Sequence, residues 1–163
     1  MIKELKATQK AIRDLLDVLK ETEGEIDSID TLIRKSHDKI SKLEERVIDI
    51  TSKMRKTERK IHKKLNKIAR VKKEIFKAKT ERQVEMFEKE YERLMKELRA
   101  LDKAYAKLQK RYEKIVLKEE RLVEEEMLLE ERAQELTKRQ GASIAKLSKT
   151  MAKLGSRLAG RVR

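Results

Sequence analysis

The side chains in this sequence whose types could carry out acid/base or metal chemistry are His37, His62 and several clusters of carboxylates. Glu58 and His62 are four residues apart, which puts a carboxylate and an imidazole on one helical face. No second such pair completes a metal site, and both histidines read as surface residues. Glu124, Glu125, Glu126, Glu130 and Glu131 form a dense acidic run, but in a helix without a cleft such a run is a solvated face and not an acid/base dyad. Cysteine is absent, which excludes thiolate nucleophiles, disulfides and cysteine-ligated zinc. No glycine-rich loop follows a strand, so no nucleotide site is indicated. The expectation is a chain with no catalytic residues, no metal, no cofactor and no small-molecule substrate.

The remaining chemistry is that of binding. Of 163 residues, 44 are Lys or Arg and 30 are Asp or Glu, for a net charge of +14. The excess is concentrated between Lys53 and Lys79, where 13 bases face only Glu58 and Glu74. The candidates for polyanion binding there are Lys53, Arg55, Lys56, Arg59, Lys60, Lys63, Lys64, Lys67, Arg70, Lys72 and Lys73. They surround the helix by their heptad positions, so a positive cylinder that binds without reading sequence, and that weakens with salt, is expected. The competing reading is a solvated helix whose lysines pair with Glu88, Glu90, Glu92 and Glu97.

A second basic zone begins at Gly141, after which the sequence has no acid. Ile144, Leu147, Met151, Leu154, Leu158 and Val162 fall within about 80° of arc, with Lys146, Lys149, Lys153, Arg157 and Arg161 on the opposite side. The reading is a separate cationic amphipathic helix hinged at Gly141. Its apolar residues would dock on a protein groove or an anionic membrane surface, or close the open end of the fold.

These residues must be positioned by helices. The chain has no Pro, four Gly, no Trp and 45% charged residues, which lacks the material for a globular core and suits long helices. Stepping by seven from Leu5 through Ile12, Leu19 and Ile26 to Ile75, every residue is apolar; the column three residues further on is mixed, including Ser36 and Lys64. These are the a and d columns of a coiled coil. A second register runs through Phe87, Leu94, Leu101, Leu108, Ile115, Leu122, Leu129 and Leu136 at d, with Val84, Tyr91, Tyr105, Glu119 and Glu126 at a. Between Ile75 and Val84 the a column advances nine residues, which turns the stripe by roughly 180°. A continuous helix would throw its seam to the opposite face.

The expected fold is therefore all-α: an antiparallel two-helix hairpin with its reversal near residues 77–83 and a C-terminal amphipathic helix. An extended parallel coiled-coil dimer is the alternative. Thr80 and Gln83 have the spacing of a capping box for the second helix. The segments are 1–78 and 80–140 for the two coiled-coil helices and 141–163 for the basic helix. In general shape a basic hairpin of this kind resembles the stalk proteins of flagellar and type III export ATPases, and viral scaffolding proteins with basic C-terminal helices; the resemblance is of pattern and transfers no residue.

The longest uncharged run, QGASIA, is six residues, far short of the roughly 18 needed to span a bilayer, and the first residues do not resemble a signal peptide. A soluble, intracellular protein is expected. The expected role is a non-enzymatic structural or assembly protein that self-associates, or docks as a rod on a partner helix, and holds an anionic partner through its basic segments. The alternatives are a non-specific nucleic-acid packaging or nucleoid protein, and a membrane-surface or secretion-stalk-like adaptor.

Overall fold

In the computed structural model, which describes residues 2–161 apart from the side chain of Arg161, the chain is two long helices packed against each other as a hairpin. Helix α1 runs Ile2–Lys77 and helix α2 runs Glu81–Arg161. The fold is thus the antiparallel hairpin, not a parallel dimer built from one rod.

The reversal occupies the three residues between the helices, inside the span where the phase of the stripe breaks. It contains no Gly, Pro, Asn or Asp, and no residue in it adopts a positive φ. Capping builds it instead. The Gln83 N–H donates to Thr80 Oγ1 at 3.3 Å, while the Lys79 N–H donates to Gln83 Oε1 at 3.2 Å, so donors orphaned at the start of α2 are met by side chains. The Ala78 N–H turns back to the Ile75 carbonyl at 3.3 Å and closes α1 with a tighter turn.

Two compact units make up the hairpin: Ile40–Arg121, which includes the reversal, and Met1–Lys39 with Leu122–Arg163. In the first, Ile68, Val71 and Leu94 form a buried cluster that Ile75, Phe87, Tyr91, Met95 and Leu98 pack around; Leu94 is only 1% exposed. In the second, Leu136 is buried. Along α1 the a and d residues from Leu5 to Ala78 are buried or half-buried at alternating steps of three and four, as a coiled-coil seam requires.

The polar members of the seam are accommodated locally. Thr8, Thr22, Thr57 and Thr150 each turn the hydroxyl back to the carbonyl four residues earlier, at 2.7–2.9 Å. Ser36 is buried and its Oγ has no partner among the described residues.

The expected separate helix after a hinge at Gly141 is corrected: α2 continues through Gly141 and Gly155 to Arg161 without a break. A helical glycine costs about 1 kcal/mol relative to Ala, which the preceding turns of α2 absorb. The register does not fail after Leu136 either. Gln140, Ser143, Leu147, Thr150 and Leu154 continue the half-buried columns at the same a and d positions.

Two stability effects follow. Ser36→Ala removes an unpaired buried hydroxyl and inserts the best helix former, so it should stabilise the chain by about 1 kcal/mol. Gly141→Ala meets no atom within 4 Å of the new Cβ and should stabilise by roughly 0.5–1 kcal/mol. Both are measured as a rise in the midpoint of thermal unfolding followed by circular dichroism, and a fall in either midpoint contradicts the corresponding reading.

Candidate polyanion-binding face

In an antiparallel pair, the positions flanking the seam meet like with like, g beside g and e beside e. The cross-helix contacts within each unit obey this. Arg132 Nη2 and Glu25 Oε2, both at g, are 3.9 Å apart. On the e side, His37 Nδ1 is 3.1 Å from Glu126 Oε1, and the Tyr105 hydroxyl donates to Glu58 Oε1 at 2.8 Å.

In the unit spanning Ile40–Arg121 this geometry sorts the charges onto two sides. On α1 the g and c positions hold Lys42, Arg46, Lys53, Lys56, Lys60, Lys63, Lys67 and Arg70, all exposed. On the same side, α2 contributes Lys107, Arg111, Lys114, Lys118 and Arg121, also exposed. The acids there are Asp49, Glu74, Glu90 and Glu97. The other side, at e and b, carries Glu44, Glu58, Glu85, Glu92, Asp102 and Glu113 among its charges.

The bases of residues 53–79 stand around α1 but are unevenly divided between the two sides of the seam. Lys53, Lys56, Lys60, Lys63, Lys64, Lys67 and Arg70 share the cationic side, Arg59 and Lys73 point outward at f, and only Arg55 and Lys72 lie toward the opposite side. Lys72 sits over the Tyr91 ring, 5.8 Å from its centroid. The α2 residues from Lys107 to Arg121 were not among the sequence candidates. Their signal is the same alternation of three- and four-residue steps, visible once the a and d columns are fixed.

Lys60, Lys63, Lys64, Lys67, Glu97, Ala100 and Leu101 line an open groove on this side. Ala100 keeps the α2 wall low, so the lysine stems border the groove with little opposing bulk. Lys64, at a seam position, is half-buried and bonded to Glu97. That hydrogen bond from the ammonium holds the Glu97 carboxyl below the ordinary carboxylate range, with further attraction from Lys64, Arg93 and Lys67. Among the described residues, the expected lysine pairing with Glu88, Glu90 and Glu92 does not form. Among the described residues, Lys53 pairs with Asp49 at 3.3 Å within α1, Lys64 pairs with Glu97, and the other candidate bases of this stretch make no ion pair.

The second set of candidates divides. Leu147 and Leu154 turn into the seam, half-buried, whereas Ile144, Met151 and Leu158 remain exposed, so the six-residue stripe is not a single docking face. Lys146 and Lys153 lie at g, Lys149 at c and Arg157 at d, all exposed. Val162 and the side chain of Arg161 lie outside the described residues. Both histidines are exposed, as expected, and His37 also lies beside the buried Glu126. Among the described residues no group of three or more His, Cys, Asp or Glu is arranged to hold a metal ion, and no helix is long and apolar enough to cross a membrane.

No protein-family model and no curated protein matches the chain. Among solved structures, the HP0958 protein from Helicobacter pylori CCUG 17874 is similar, with a TM-score of 0.70 over 99% of this chain and 68% of that one, at 20% sequence identity. At that identity the likeness is one of all-helical fold.

The Lys64–Glu97 contact gives a pH effect of defined sign. Because the Glu97 carboxyl titrates below its unfolded value of about 4.5, its contribution is complete above that value and is lost as pH falls through the depressed folded value. Titration of the Glu97 side-chain carboxyl by NMR should show a midpoint below that of the same residue in Lys64→Met; coincident midpoints contradict the assignment.

Proposed function

We propose that the chain is a non-enzymatic coiled-coil assembly protein that holds a linear polyanion along its cationic side, with a phosphate backbone as the chemistry this side suits best. The observation that carries the reading is the double row of exposed bases on one side of the unit Ile40–Arg121, most of them without an ion-pair partner. Alternating steps of three and four residues set successive bases about 5 Å apart along each helix. A DNA strand presents one charge per about 3.4 Å of axis, so two such rows can follow a backbone without reading its bases. Binding of this kind releases counterions, and its affinity falls steeply with salt.

The test is binding of a fluorescent 30-base-pair duplex, and of a single strand of equal length, over a series of salt concentrations. The native chain should bind both at low salt, with a steep negative slope of log affinity against log salt. Lys60→Glu, Lys63→Glu, Lys67→Glu and Arg70→Glu combined should weaken binding more than ten-fold and flatten the slope, with helicity retained. Reversing Arg55 and Arg99, on the other side, should have a much smaller effect. Equal losses from the two sets, or no binding at low salt, would exclude the cationic side as the site.

A further inference from the structure

In the unit formed by Met1–Lys39 and Leu122–Arg163, the e side is apolar and uncovered. Ile144, Met151 and Leu158 recur every seven residues on α2 and are 49%, 55% and 46% exposed. By the register that the Glu25–Arg132 and His37–Glu126 contacts fix, Leu16 of α1 lies beside Ile144 and Ile2 beside Leu158; these are 48% and 73% exposed. Both helices therefore contribute to one strip of large apolar side chains facing solvent, which in a chain of this charge calls for an occupant.

The charges at the e and b positions that border the strip are of one sign. Its α1 border at b is Lys6, Arg13 and Lys20, and on α2 Lys138 at f lies beyond its b edge. From Lys138 onward α2 has no acid, and the e and b positions of α1 from Ile2 to Lys20 have none. Two copies meeting on this strip would bring like charges together, so the rim argues against self-association and for an acidic occupant.

The shape of the strip separates a helix from a lipid surface. Beside the large residues stand Gly141, Ser148 and Gly155 at b, with Ala145, Ala152 and Ala159 at f. A Cβ added at Gly141 or Gly155 would meet nothing within 4 Å, so packing inside the chain does not require these residues to be small. Small side chains offer little area for burial in lipid, but they let a second helix approach closely between the Ile144, Met151 and Leu158 ridges. We infer that this strip is a docking groove for an amphipathic helix with an acidic rim, supplied by a partner protein. The inference is independent of the polyanion-binding side, which lies in the other unit.

The probes are two fluorescein-labelled helical peptides sharing one Leu/Ala stripe, flanked by Glu in one and by Lys in the other, with anisotropy read on the full-length chain. The Glu-rimmed peptide should bind at least ten-fold tighter than the Lys-rimmed one. Met151→Glu should weaken it at least ten-fold, and Gly155→Leu should weaken it as well by filling the groove. The combined Lys60, Lys63, Lys67 and Arg70 reversal should leave it bound, which separates this site from non-specific attraction to the cationic side. Sedimentation with anionic and neutral vesicles decides the lipid alternative. Gly155→Leu adds apolar area, so vesicle binding strengthened by it, with no preference between peptides, overturns the inference. A dimer in sedimentation velocity that Met151→Glu dissolves overturns it in favour of a second copy, as does equal binding, or no binding, of the two peptides.

Discussion

Two helices packed side by side can bury only one stripe each, two positions in every heptad, and that geometric limit governs the rest of this molecule. Among the described residues no third layer covers the remaining five positions, so the core within each unit is a line of residues. Only a few residues, such as Leu94 and Leu136, are removed from water almost completely. Everything else is surface, and differences between one side of the hairpin and the other must be written at e, b, g and c. The sorting of bases onto the g and c side between Lys42 and Arg121 is a use of that surface that does not disturb the seam.

Within a seam so thin, polar groups have consequences for alignment. A pure apolar stripe repeating every seven residues could slide by a heptad and still bury its side chains. Such a slide breaks the Lys64–Glu97, Glu126–His37 and Glu58–Tyr105 contacts, and neither direction supplies an equivalent partner to all three. The Lys64–Glu97 and Glu58–Tyr105 contacts are only partly desolvated and contribute little to stability, whereas the Glu126 carboxylate is buried. Their physical effect is on register, because a slide of one heptad in either direction sets the buried Glu126 carboxylate against Asp30 or Glu44 in place of His37. The Tyr105 hydroxyl, whose pKa is raised by its hydrogen bond to the Glu58 carboxylate, belongs to the same set.

The fold was legible in the sequence because its signals are periodic and long: eleven heptads from Leu5 to Ile75, a nine-residue step, and Thr80 and Gln83 at capping distance. Each is a local rule repeated or broken at a countable position. The end of α2 is hard to read from the sequence for the opposite reason. Ranking residues by hydrophobicity selected Ile144 and Met151 as the start of a new stripe, whereas the rotation of each residue is inherited from the preceding turns of the same rigid helix. Gln140, Ser143 and Thr150 therefore face inward despite their polarity. The cationic side was partly hidden in the same way. Counting bases along α1 found its excess, but the sidedness, and the contribution of Lys107 to Arg121, emerge only when two helices are set in register.

The capped reversal between Lys77 and Glu81 also orders the assembly of the hairpin in time. The Lys64–Glu97 contact closes a loop of 33 residues and the Glu58–Tyr105 contact one of 47, and each later pair closes a larger one. Loop-closure entropy favours the shortest loop first, and the best-packed cluster, around Ile68, Val71 and Leu94, adjoins the turn. Once that cluster has formed, every further heptad of the seam in the same unit adds only a local step, so the pairing grows away from the turn. The reverse sequence governs opening: the layers of that unit farthest from the turn are the last to close and the first to open.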